Sequence, residues 1–281
     1  MIALERKRTT QAISTKFRGT DKKAKDIELM SARREFLKDS GKPIEFKSAY
    51  WKTSKTQLKK ESNGKCAYCE ANTEVVAHGD VEHFRPKSIY WWLAYTYDNY
   101  LYACQICNQL YKSDNFTIGS NKYPEPAINI GTPDQQIEQM AGNITPDPID
   151  ITLNYTLQKY LDEHYSENAY LINPYFDNPA TYFSYDADDI IEEVKIIPAN
   201  PDYAKHVKAA ENYFGINRIE LKNARYEVYT KFRVLKMAYP AMIDVLIKKE
   251  IKKQIDDMLS NKYLFAGMNR YFDKILTQIY L

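Results

Sequence analysis

Apolar residues recur three and four positions apart through much of this chain, and that spacing predicts helices. Ile27, Met30 and Leu37 mark one over residues 24–39, and Trp51 and Leu58 mark another over 45–62, stopped by Gly64. Downstream, residues 199–213 read as a helix ended by Gly215. A longer one at 217–238 follows, with Leu221, Ala224, Val228, Phe232 and Leu235 in step and Pro240 as its boundary. Met242, Val245, Leu246, Ile255 and Met258 continue the pattern through 240–260, and a last helix is expected at 262–280. The Pro-, Gly- and Asn-rich stretch 121–150 reads as loop. Only the centre, around the lead-in to His83, is β-prone. There is no internal repeat.

Composition narrows the class. With 281 residues, 44% hydrophobic and 27% charged, the chain has ordinary globular composition and ample length for a core. No apolar run approaches the ~18 residues of a membrane span, and the opening MIALERKRTTQ lacks the apolar stretch of a secretory signal. A cytoplasmic protein with no membrane partner is the expectation. The net charge of +2 conceals an uneven distribution. Residues 1–65 hold 18 Lys/Arg against 8 Asp/Glu, residues 121–214 hold 5 against 16, and residues 215–281 hold 13 against 7. Basic ends around an acidic middle suggest surfaces with different partners, nucleic acid among them, although charge runs also occur as plain solvated helix faces.

The cysteines carry more information. Cys66, Cys69, Cys104 and Cys107 form two C-x-x-C pairs with none left over. Each two-residue gap lets both thiolates face one ion, and two such knuckles complete the tetrahedral sulfur site zinc prefers. A reducing compartment disfavours disulfides. The 34 residues between the pairs exceed the usual spacing of ~15–20, so something has been built between the knuckles.

That segment contains Glu82 and His83 in VEHFRP, Asn99 in DNYLYAC, and Asn108 directly after Cys107 with Lys112 one turn later. Phosphodiester hydrolysis needs a base to activate water and a hard cation to neutralise the phosphate. An imidazole can be that base. A carboxylate and an amide oxygen are ligands that Mg²⁺ accepts.

Taken together, GKCAYCE, VEHFRPKS, DNYLYACQICN and, further on, YLINPYFDNPATYFSYD resemble HNH endonucleases in their zinc-knuckled form. Within those, they resemble the PtuB-like HNH subunit of Septu-type and retron-associated anti-phage systems. The similarity runs from about Trp51 to Arg225. The resemblance implies an α+β fold, mostly helical, carrying a zinc-knuckled HNH ββα-metal element. It implies His83 as general base, Glu82 and Asn108 as ligands of a catalytic Mg²⁺ or Mn²⁺, and Asn99 as brace of the loop bearing the histidine. The four cysteines would hold a separate structural Zn²⁺. It also implies an ABC/SMC-like ATPase partner of the PtuA type. Glu82 stands where HNH enzymes generally carry Asp, and Asn108 stands in place of a final histidine, which points to Mg²⁺ over softer metals.

The segments expected are a basic helical region at 1–62, the nuclease core at 63–120, an acidic loop-rich insertion at 121–170 and a helical region at 171–281. The function implied is a metal-dependent endonuclease, DNA favoured, in an antiviral complex. Two alternatives remain at this point: an RNase of the same defence class, and an inert zinc-dependent nucleic-acid-binding adaptor. Lys112 is read as either a phosphate contact or a helix-face charge. His78 is read as a strand-end histidine, and His164 and His206 as histidines in polar helices. Trp91 and Trp92 are expected to pack against the knuckle.

Overall fold

The computed structural model describes residues 1–73 and 79–280, and His78 lies outside them. The architecture is α+β, with many helices and two small antiparallel sheets among the described residues. At its centre, β1 (Asp80–His83) pairs with β2 (Tyr100–Ala103), Glu82 opposite Leu101 and His83 opposite Tyr100. Gly79 leads into β1 because Tyr102 lies so close that an added Cβ would sit 2.3 Å from its ring.

Side chains alternate across a strand, and here each face packs against a hydrophobic core. Leu101, Ala103 and Phe84 belong to one hydrophobic core together with the four cysteines and the C-terminal helices. Val81, Tyr100 and Tyr102 belong to a second core with Phe17, Leu29, Met30, Trp51 and Tyr160. The hairpin is the wall between the two.

The N-terminal side is built on α1 (Gly19–Lys38), which starts five residues before the periodicity predicts. The expected helix at 45–62 is broken: a single turn at Ser48–Trp51 and a 3₁₀ turn at Lys52–Ser54 precede α2 (Lys55–Glu61). Inside the stretch read as loop, α3 (Asp134–Met140) buries Ile137, one apolar contact being too few to show as a pattern. Then α4 (Leu157–Glu167) begins where Thr156 caps Lys159 N and ends at Asn168 in the left-handed conformation.

A hairpin that helical periodicity does not reveal follows, β3 (Phe183–Asp188) with β4 (Glu193–Pro198). Phe183, Tyr185, Val194 and Ile196 are its buried residues, at period two. The C-terminal helices are α5 (Ala204–Phe214), α6 (Ile219–Ala241), α7 (Val245–Leu259) and α8 (Ala266–Tyr280). Pro240 lies within α6 and does not bound it. So close to the helix end, it costs one hydrogen bond of the last turn. No helix among the described residues is long and apolar enough to cross a membrane.

Candidate metal centre and catalytic cavity

The two C-x-x-C pairs meet in space. All four Sγ atoms lie within 4.8 Å of one another, and all four residues are buried. A tetrahedral zinc with Zn–S bonds near 2.3 Å needs sulfurs about 3.8 Å apart, so the cluster fits such an ion. The first knuckle is held by the backbone hydrogen bonds Cys66 N to Ala71 O and Glu70 N to Cys66 O, with Glu70 at φ 60° turning the chain back. The second donates Cys107 N to Cys104 Sγ at 3.4 Å, the amide-to-sulfur contact of a metal knuckle. Arg218, absent from the sequence-based candidates, places Nη1 3.7 Å from Cys107 Sγ. A cation there would offset the excess negative charge of four thiolates on a divalent ion. Hydrogen bonds from its cysteine neighbours pull the Cys104 thiol far down, while burial pushes Cys66 up. Such sulfurs cannot behave as four independent thiols.

A separate cavity opens beside the hairpin, lined by Trp51, Glu82, His83, Lys87, Asn108 and Asp114 among others, with a volume of about 330 Å³. It brings Glu82, His83 and Asn108 to one space. His83 is buried, and its ring meets Trp51 and Tyr100 edge-on at 4.9 and 5.1 Å. Its Nε2 lies 2.9 Å from the carbonyl oxygen of Ala94. A carbonyl only accepts, so Nε2 carries the proton and Nδ1 keeps the free lone pair. Burial lowers the His83 pKa to about 3, so the imidazole is neutral at pH 7.

Glu82 leaves β1 on the other face. Its Oε1 is 2.7 Å from Lys112 Nζ and accepts a weak hydrogen bond from Tyr68 Oη at 3.4 Å. Burial raises its pKa and Lys112 opposes that rise. Lys112 is fully buried and also donates to the carbonyl of His83 at 3.0 Å. It is therefore neither a phosphate contact nor a helix-face charge, since its ammonium points into the hairpin toward Glu82 and the carbonyl of His83. Asn108 belongs to a π-helical segment, Ile106–Lys112, in which Ser113 N bonds back to Asn108 O across five residues. That segment is docked by Tyr111, whose ring covers Gly215 at φ +57° so closely that no Cβ would fit.

Asn99 is fully buried. Its Oδ1 accepts from Arg85 N at 2.8 Å, and its Nδ2 donates to the carbonyls of Arg85 and Leu93 at 3.0 and 3.3 Å. It thus ties both ends of the loop that follows His83. Arg85 itself is buried and paired with Glu167 of α4 at 2.7 Å, while Tyr90 and Tyr123 N also donate to Glu167. Sequence reasoning passed over both residues, because nothing local marks an arginine as paired 82 positions away.

Other expectations change. His164 is buried, not on a polar face, and it accepts from Arg85 through Nδ1 and faces Asp177 through Nε2. His206 is half-buried, with Nδ1 donating to Tyr170 O at 3.0 Å. Trp91 and Trp92 pack in the core with α1, across the hairpin from the cysteines. Lys22 in the basic N-terminal region is buried against Asp26 at 2.8 Å, so part of that positive surplus is internal.

No family model matches the chain. It is similar to the Septu protein PtuB of Bacillus mycoides (strain KBAB4), 28% identical over 279 residues that take in 90% of this chain and 81% of that protein. The PtuB-like resemblance read from the motifs is therefore borne out well beyond them.

Proposed function

From the chain's standing as a PtuB-like member of the Septu family, we propose that it is the nuclease of an antiviral defence complex, an HNH-type phosphodiesterase working with a PtuA-type ATPase. The observation that carries this reading is the single cavity lined by Glu82, His83 and Asn108, next to a buried four-cysteine cluster. Two strands followed by a short helix, with the carboxylate and imidazole on the first strand and the amide on the helix, is the arrangement a ββα-metal element calls for.

In this reading His83 is the general base. The hydrogen bond from Nε2 to Ala94 O fixes the tautomer and leaves the Nδ1 lone pair to accept a proton from water. Nδ1 takes the water's proton as the oxygen attacks phosphorus in line, and the leaving group is the 3′ oxygen. Glu82 and Asn108 supply the oxygen donors for Mg²⁺ or Mn²⁺, and an ion there would stabilise charge on the phosphate and leaving oxygen. Asn99 keeps the loop behind the base from moving. The cysteines hold zinc as a structural pin. DNA is the favoured substrate.

The test is His83→Ala, assayed with Mg²⁺ and the ATPase partner on both DNA and RNA. Cleavage should fall on the order of 10²–10⁴-fold, with zinc content retained and the melting temperature lowered only as far as loss of one buried ring requires. Cleavage equal to wild type on either polymer would overturn the assignment.

A further inference from the structure

Lys112 is a buried lysine the hydrolytic scheme above does not use. Its ammonium lies 2.7 Å from Glu82 Oε1 and 3.0 Å from the carbonyl oxygen of His83. Two neighbouring groups of β1 are thus gripped from behind by one cation with no exposed surface. The charged side chains around the cavity balance, Glu82 and Asp114 against Lys87 and Lys112. A divalent ion entering this space meets Glu82 already half-satisfied by an ammonium. The missing negative charge is what a phosphodiester brings.

We propose that Lys112 is a positioning residue that couples the divalent ion to the substrate. By holding one oxygen of Glu82, it keeps the site near neutral, so the ion binds firmly only together with a nucleic-acid backbone. This rests on the reading of Glu82 and Asn108 as ligands. Charges this close act through little water, so their effect on ion affinity is large. Coupling is reciprocal, so the ion strengthens backbone binding by the same factor.

The experiment measures Mn²⁺ binding to the zinc-loaded full chain by loss of the free-ion paramagnetic resonance signal. It is run alone, with an uncleavable phosphorothioate DNA duplex, and with the RNA counterpart. Wild type should bind Mn²⁺ weakly alone and about tenfold or more tightly with one of the polymers. Lys112→Met should bind Mn²⁺ more tightly than wild type without polymer and gain little from adding it. Lys112→Arg should keep the coupling. Zinc content and melting temperature check the fold, and Lys112→Gln, which keeps a donor without the charge, replaces Lys112→Met if that variant does not fold. Neutral variants that bind Mn²⁺ like wild type, or more weakly, with the gain from polymer unchanged would overturn the proposal. If wild type binds Mn²⁺ under none of the three conditions, the assignment of the ligands itself fails, and the coupling with it.

Discussion

Glu82 and His83 are adjacent in the chain yet feed different cores. The carboxylate lies with Tyr68 and Lys112 on the cysteine side, and the imidazole lies with Trp51 and Tyr100 on the other. Both still border one cavity, because β1 ends there. In the proposed reading, the strand's alternation separates a proton-taking group from an ion-holding group while keeping them one residue apart.

That separation should be visible in metal titrations. Glu82→Gln and Asn108→Ala should lose cleavage in a way that rising Mg²⁺ or Mn²⁺ partly restores. The His83→Ala defect should stay the same at every metal concentration. Identical metal responses in all three variants would contradict the division of labour.

The cysteine cluster predicts close to one zinc per chain by elemental analysis. Cys107→Ser should lower both zinc content and melting temperature, since metal-binding free energy in such sites is folding free energy. Wild-type protein that is folded and metal-free would contradict it.

Asn99→Ala should destabilise the chain by about 1–3 kcal/mol, because it strips partners from the buried Arg85 amide and two buried carbonyls. Urea denaturation measures this. Cleavage should fall further than stability does, since the same bonds restrain the loop after His83.

Burial lowers the His164 pKa, and Arg85 pushes it the same way against Asp177. The unfolded chain takes a proton near pH 6.5 while the folded chain still refuses it. Stability tied to His164 is therefore present above pH 6.5 and lost as pH falls below it. The melting temperature of wild type should drop more steeply from pH 7.5 to 5.5 than that of His164→Gln. Parallel slopes would show that His164 does not contribute.

Lys87 borders the cavity and Lys22 is buried against Asp26. Lys87→Ala should weaken nucleic-acid binding and reduce its log–log salt slope by about 0.7–0.9. Lys22→Ala should lower stability and leave the slope alone.

The α+β class, the four-cysteine cluster and the meeting of Glu82, His83 and Asn108 at one cavity were legible because they rest on local spacing: two knuckles, an adjacent carboxylate and imidazole, an amide after the last cysteine. What stayed hidden depends on distant partners. Lys112 looks like any helix lysine until Glu82 is folded against it, and Arg85 acquires its meaning only from Glu167. The β3–β4 hairpin alternates correctly, but its tip, Asp189 to Glu192, offers none of the Gly or Asn signals that announce a turn. The helix at 45–62 is interrupted just after Tyr50 and Trp51, which are buried in the second core.

The hairpin between the two cores packs on both of its faces, and that leaves it no freedom of register. A single residue gained or lost within β1 would rotate every later side chain to the opposite wall. Aliphatic neighbours such as Val81 could trade one greasy environment for another. The carboxylate and the imidazole could not: the acid would lose Lys112 and be turned toward Trp51 and Tyr100, and the imidazole would be driven against Lys112. The surface loops of such a molecule can drift in length over generations, but this strand's length is quantised, and its relatives should differ around it in every way except by one residue.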